Sequence, residues 1–161
     1  MMSKPMKYLV IHCTATPEGR EVTAAEIRRW HTAPPPAGRG WKHVGYTDLI
    51  HLDGTIERLA PNNEDDRVDN WEITNGAAGY NSVSRHIVYV GGCDSHMHPK
   101  DTRTPAQCEA LKRYVLEFHS RFPQILIVGH HDLNPAKQCP SFDVGQWIAG
   151  IGIRQTFNQH S

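Results

Sequence analysis

The segment ILIVGHHDLNPAKQCPSFD, residues 125–143, decides how the chain is read. Its first four residues are β-branched or apolar and predict a short buried strand. That strand delivers the chain directly into paired histidines, and His130 lies nine residues before Cys139. A second run of the same kind, KYLVIHC over residues 7–13, also closes on a histidine, His12, before the loop residues Thr14-Ala15-Thr16-Pro17. Were these strands parallel neighbours, both imidazoles would emerge at one carboxyl edge, where open α/β sheets place their sites. Cys139 can then fold back toward them from its loop.

Working outward, Thr23-Ala24-Ala25-Glu26 has the form of a capping box and opens a helix toward Trp30-His31, which must stop before Pro34-Pro35-Pro36. Tyr46–Leu52 and Thr55–Leu59 read as two antiparallel strands joined by Asp53-Gly54. Residues 60–82 are polar and rich in Asn, Asp and Gly, and predict a long loop. Ser84–Val90 is a further strand, closed by Gly91-Gly92. Thr104-Pro105-Ala106-Gln107 combines a capping box with proline at the first helical position, and the stripe Cys108, Leu111, Val115, Phe118 and Phe122 lays that helix on a sheet. The order β-α-β-β-β-α-β predicts an α/β domain with a central mixed β-sheet of about five strands flanked by helices.

A chain of 161 residues with 39% hydrophobic content is expected to form one domain, residues 1–161, around one core. Seventeen basic residues balance seventeen acidic ones, so no chain-wide field points to nucleic acid or to an anionic membrane. Four cysteines without dense, regular spacing predict reduced thiols. No apolar run approaches the roughly 20 residues needed to cross a bilayer. The N-terminal MMSKPMKYLVIHCTA holds too short an apolar run for a signal peptide, so a cytoplasmic protein as synthesised, and a monomer, are expected.

Two imidazoles and one thiolate are a donor set that suits zinc, with a formal charge of about +1 and a fourth position left open, as in catalytic sites. No His-Glu-x-x-His helix is present, so spacing by itself leaves open both a metal site and an ordinary set of hydrogen-bonded side chains. Cys13 alternates to the strand face opposite His12, and Cys108 lies on the helix stripe, so both are expected in the core; Cys93, after Gly-Gly, is expected at the surface. Asp94-Ser95-His96-Met97-His98 reads as a polar loop in preference to a second metal site. Trp41, Trp71 and Tyr80 are expected in loops flanking a cleft.

Seven stretches, in this order, carry a family likeness: Val10-Ile11-His12-Cys13-Thr14-Ala15-Thr16, Val44-Gly45-Tyr46, Asp53-Gly54-Thr55, Gly79-Tyr80-Asn81, Val90-Gly91-Gly92, Thr104-Pro105-Ala106-Gln107, and His130 through Cys139-Pro140-Ser141-Phe142-Asp143. From about Lys7 to Trp147 the chain resembles the zinc-dependent N-acetylmuramoyl-L-alanine amidases, above all the phage lysozymes of amidase type and more distantly the peptidoglycan recognition proteins. The resemblance implies hydrolysis of the amide between N-acetylmuramic acid and L-alanine in bacterial peptidoglycan, on the wall after release, as a phage or prophage endolysin does. It implies one zinc ion (Zn2+) per chain on His12, His130 and Cys139, with Tyr46 and Lys137 as catalytic residues. His131, beside a ligand but pointing elsewhere in an extended segment, is expected to play a supporting role.

Two departures from the family pattern stand out. Many relatives carry a histidine in the loop before Gly-x-Asn, where this chain has Asn75-Gly76-Ala77-Ala78-Gly79, and the interval from His130 to Cys139 is slightly longer than in the nearest phage enzymes. Three other readings compete: a peptidoglycan-binding module that does not cleave, a regulatory protein that docks on a partner enzyme, and a cysteine hydrolase using Cys139 with His130 or His131. The first lacks support where a third ligand is present, and the last is disfavoured by proline directly after the cysteine.

Overall fold

Strands and helices mix along residues 3–155, which are the residues the computed structural model describes; residues 1–2 and 156–161, the latter ending the uninformative tail Ile151–Ser161, lie outside that description. In chain order the elements are β1 (Ser3–Pro5), β2 (Tyr8–Cys13), β3 (Thr16–Pro17), α1 (Ala24–Thr32), β4 (Asp48–Ile50), β5 (Ile56–Arg58), β6 (Arg67–Asp69), β7 (Ser84–Tyr89), β8 (Gly92–Cys93), α2 (Pro105–Arg121), β9 (Leu126–Gly129), α3 (His130–Leu133) and α4 (Val144–Gly150). The principal sheet has the order β5-β4-β7-β2-β9. β4, β7, β2 and β9 run parallel, and β5 is an antiparallel edge strand. This is the mixed five-stranded sheet that the order of elements predicts.

Both capping boxes form. The Thr23 hydroxyl accepts from Glu26 N–H at 3.1 Å and the Glu26 carboxylate accepts from Thr23 N–H at 3.1 Å, which starts α1. Thr104 and Gln107 make the same exchange at 3.0 and 2.9 Å at the start of α2. The hairpin turns at Asp53-Gly54 with Gly54 at φ +86°, a conformation that costs glycine nothing. Its strands are shorter than their apolar runs, and Tyr46 falls in the loop before β4 instead of on it.

Alternation along the strands sorts side chains between two faces. Leu9, Ile11 and Cys13 of β2, Ile87 and Tyr89 of β7 and Ile127 of β9 join Leu111, Val115 and Phe118 of α2 and Ile148 of α4 in one core. On the other face Leu49, Val88 and Val90 pack with Ile27 of α1. His12, His86 and His130 share the parity of that second face. The sheet therefore buries a full apolar layer on one side and carries the imidazoles on the other.

The structure adds elements that short, polar segments do not reveal. β6, inside the expected loop 60–82, pairs antiparallel with β1, and β3 pairs parallel with β8. That second pairing buries Cys93, contrary to the exposure expected of it, because Gly92-Cys93 forms the partner strand of Thr16-Pro17. Cys108 is only half-buried, and the fully buried position beside it on α2 goes to Gln107, whose amide donates to the Val90 carbonyl at 3.0 Å. The segment after β9 coils at once into one helical turn, so His131 does not lie in an extended stretch.

Candidate active site

Ile11 stands opposite Gly129 in the parallel pairing of β2 with β9, so the next residues, His12 and His130, leave the sheet side by side. Their ring centroids are 4.8 Å apart. Cys139 is brought back to them by a stapled loop. His131 N–H donates to the Cys139 carbonyl at 2.9 Å, the Tyr89 hydroxyl donates to the Pro140 carbonyl at 2.6 Å, and the Ser141 hydroxyl donates to the Gly92 carbonyl at 2.8 Å. Cys13, whose side chain faces the core, turns its backbone N–H to Cys139 Sγ at 3.2 Å.

The donor atoms of His12, His130 and Cys139 all lie within 4.8 Å of one another, and His12 Nδ1 is 3.6 Å from Cys139 Sγ. Tetrahedral coordination with Zn–N near 2.0 Å and Zn–S near 2.3 Å places a nitrogen and a sulfur ligand about 3.5 Å apart. The donor types, and the His12–Cys139 separation, therefore fit a zinc ion. His12 is all but inaccessible to solvent, with 1% exposure, and burial first, then the neighbouring His86, His130 and His31, hold its pKa well below the ordinary value. Burial, helped by Lys137 and His131, also lowers that of His130. Both rings are thus neutral near pH 7, the form that ligates. Burial raises the Cys139 thiol well above its usual range, while the Lys137 charge opposes that rise. A cation on the sulfur and the Cys13 N–H both favour the thiolate.

Tyr46 stands over His12 with ring centroids 5.0 Å apart. It is held there from behind: its ring meets His31 edge-on at 5.2 Å, His31 Nδ1 accepts from Gly45 N–H at 2.8 Å, and Trp41 packs on His31 at 4.9 Å. Burial, then the Cys139 and Cys13 thiols, push the phenol well above 10, so it is a hydrogen-bond donor and not a base. Lys137 lies in an exposed turn, its N–H donating to the Asn134 carbonyl at 3.0 Å, and its charge reaches both His130 and Cys139. His131 lies outside the donor cluster, with Nε2 3.7 Å from Asp132 Oδ1.

One residue that sequence reasoning passed over is fully enclosed here. His86, in the middle of β7, has 0% exposure; its Nδ1 is 2.8 Å from His12 Nε2 and its Nε2 is 3.0 Å from Asn81 Oδ1. The signal for it was strand alternation: a histidine two residues from Val88 shares a face with His12 once β7 and β2 are known to be neighbours. Gly76, in the loop where the chain departs from the family pattern, packs against the same ring. A Cβ there would lie 2.5 Å from His86 Nδ1 and 2.8 Å from the Gly45 carbonyl.

The loop aromatics divide. Trp41 supports His31; Tyr80 packs edge-on against Tyr8, at the opposite end of β2 from His12; Trp71 is 44% exposed beside an open hollow of about 390 Å³ that Lys42, His43 and Val44 also line. In the loop after β8, the Asp94 carboxylate accepts from the N–H groups of His96 and His98, both at 2.9 Å.

The family model described as N-acetylmuramoyl-L-alanine amidase matches residues 2–142. The endolysin of Enterobacteria phage K11 is 37% identical over 138 residues, 86% of this chain and 82% of that protein. Among solved structures, the Ph2119 endolysin from Thermus scotoductus MAT2119 bacteriophage Ph2119 superimposes with a TM-score of 0.69 at 27% identity, covering 94% of this chain and 87% of that one. Bumblebee PGRP-SA has the same fold, with a TM-score of 0.67 at 20% identity over 92% of this chain and 83% of its own.

Proposed function

Because the chain belongs to the N-acetylmuramoyl-L-alanine amidase family and is a peptidoglycan amidase, we propose that its reaction runs at one zinc ion per chain held by His12, His130 and Cys139. The observation that carries this reading is the convergence of three donors with a His12 Nδ1 to Cys139 Sγ separation of 3.6 Å. Zinc bound there would lower the pKa of a water toward neutrality and polarise the scissile carbonyl.

The remaining work falls to the chain's own residues. Tyr46, protonated and packed over His12, donates a hydrogen bond at the site and orients the substrate. Lys137 supplies positive charge on the side of His130 and Cys139, where an oxyanion develops as the amide between muramic acid and L-alanine is attacked. The cysteine-hydrolase reading fits poorly, since burial holds the Cys139 thiol in its unreactive protonated form.

We further propose a single-domain, monomeric enzyme made in the cytoplasm that acts on the cell wall after release; the relatives named endolysins support the last of these. None of the described helices is long and apolar enough to cross a membrane. Incubation of the purified protein with peptidoglycan, with and without a zinc chelator, tests the reading by mass spectrometry of the products. Stem peptides beginning at L-alanine are expected, lost with chelator and restored by zinc. Wall bound by zinc-loaded protein but left uncut would overturn it in favour of a recognition module.

A further inference from the structure

We infer that His86 and Asn81 are positioning residues of this enzyme, forming a relay that fixes the His12 ring with its Nδ1 lone pair bare and aimed at the zinc position. The relay prepares a ligand for the zinc ion proposed above and so rests on that reading.

Donors and acceptors along the relay fix the state of each ring. Ala77 N–H, which can only donate, lies 2.8 Å from the Asn81 side-chain atom assigned as Oδ1, so that atom is the carbonyl oxygen. The same oxygen is 3.0 Å from His86 Nε2, which must therefore carry its proton. His86 is sealed from solvent, and its two ring partners, Asn81 and His12, include no anion, so the ring is neutral and holds that single proton. Its Nδ1 is then an acceptor, and His12 Nε2, 2.8 Å away, is the donor. A neutral His12 with its proton on Nε2 has nothing on Nδ1, the atom 3.6 Å from Cys139 Sγ.

Steric packing keeps the relay in line. The place where a side chain at position 76 would stand is filled by the His86 ring, which a Cβ at Gly76 would approach to 2.5 Å at Nδ1 and 2.6 Å at Cγ. His86 reaches His12 diagonally across the β7–β2 pairing, in which Val10 is opposite His86 and Val88 opposite His12. The ligand is thus oriented from the neighbouring strand, and the strand's partner Asn81 is anchored in turn by backbone. Metal-ligating histidines whose other nitrogen loses such a partner typically lose about 10- to 100-fold in metal affinity.

The test measures zinc affinity by competition with a chromophoric chelator, and ring protonation by 15N NMR of the zinc-free wild-type protein. His12 and His86 are both expected to carry the proton on Nε2. His86→Met, which keeps bulk but cannot accept, is expected to weaken zinc about 10- to 100-fold. His86→Gln, whose amide can accept from His12 and donate to Asn81, is expected to stay close to wild type. Asn81→Ala, which leaves both rings in place, should weaken zinc in the same direction as His86→Met. A His12 proton on Nδ1 would overturn the inference without recourse to any variant. So would wild-type zinc affinity in His86→Met, or equal losses in His86→Met and His86→Gln, the mark of a merely structural residue. Wild-type protein that bound no zinc would defeat the metal reading instead, and the NMR assignment would still decide the relay.

Discussion

Gly76 shows how an absent side chain can shape a site. The space above it belongs to His86, and the nearest other atom is a backbone carbonyl, the Gly45 oxygen 2.8 Å from where a Cβ would stand, so neither neighbour can yield freely. Gly76→Ala is expected to destabilise the protein by about 1–3 kcal/mol, the usual cost of overpacking, and to weaken zinc by displacing His86. Urea denaturation beside a zinc titration checks both; an alanine variant matching wild type in each would show that the ring has room to move. Lys137 makes a different demand, because it is exposed. Lys137→Met should leave stability and zinc binding intact while lowering kcat about 100-fold or more, the loss expected when a donor to an oxyanion is removed. A variant with full kcat would return Lys137 to the solvated surface. The three proposed ligands could be picked out as candidates because His12 closes a strand, His130 follows one directly, and Cys139 lies a few residues further on. His86 could not, since a buried histidine inside a strand means nothing until its neighbours across the sheet are known.

At the scale of elements, the capping boxes and the Asp-Gly turn were legible because each is decided within four residues. β1, β3, β6 and β8 were not: each is two or three residues long and exists only through a partner remote in sequence, as Ser3 opposite Asp69 illustrates. One contact between elements titrates. His51, just after β4, places Nδ1 3.0 Å from Glu21, in the segment leading into α1, and Nε2 2.8 Å from Glu57 of β5. A neutral imidazole has one N–H and cannot donate to both carboxylates. Burial opposes the charge on His51, but the hydrogen bonds to Glu57 and Glu21 outweigh it and raise the pKa above 6.5. A raised folded-state value means that the clamp contributes fully below about pH 6.5 and is lost as pH rises through the folded pKa. The carboxylates are about half exposed, so after solvent screening the contribution is about 0.5 kcal/mol. Unfolding free energies between pH 6 and pH 8.5 should fall by that much in wild type relative to His51→Gln; parallel curves would mean that the clamp carries no net stability.

The whole molecule brings the distant pieces together, and here a sequence read alone reaches its limit. The β-α-β-β-β-α-β order was visible, but the strand order β5-β4-β7-β2-β9, which sets β2 between the strand bearing His86 and the strand leading to His130, depends on crossovers that no local signal encodes. That order has a thermodynamic consequence. The three proposed ligands come from the end of β2, the start of α3 and the loop ahead of α4, and only the folded state brings the first beside the other two. Zinc that binds this arrangement and not the unfolded chain must stabilise the fold by mass action, by about 2.7 kcal/mol when free zinc is a hundredfold above its dissociation constant. For a domain of this size that corresponds to a rise in Tm of roughly 5–10 °C over chelator-treated protein. Cys139→Ser should abolish most of that zinc-dependent rise and the amidase activity together, because a serine hydroxyl is a far poorer zinc ligand than a thiolate. The control separates metal binding from packing: the chelator-treated proteins should melt close together, since the serine fills nearly the same space at the half-buried position of Cys139. Equal zinc-dependent rises in wild type and Cys139→Ser would mean that the ion sits elsewhere, and the convergence of His12, His130 and Cys139 would be no more than a buried polar cluster at the edge of a sheet.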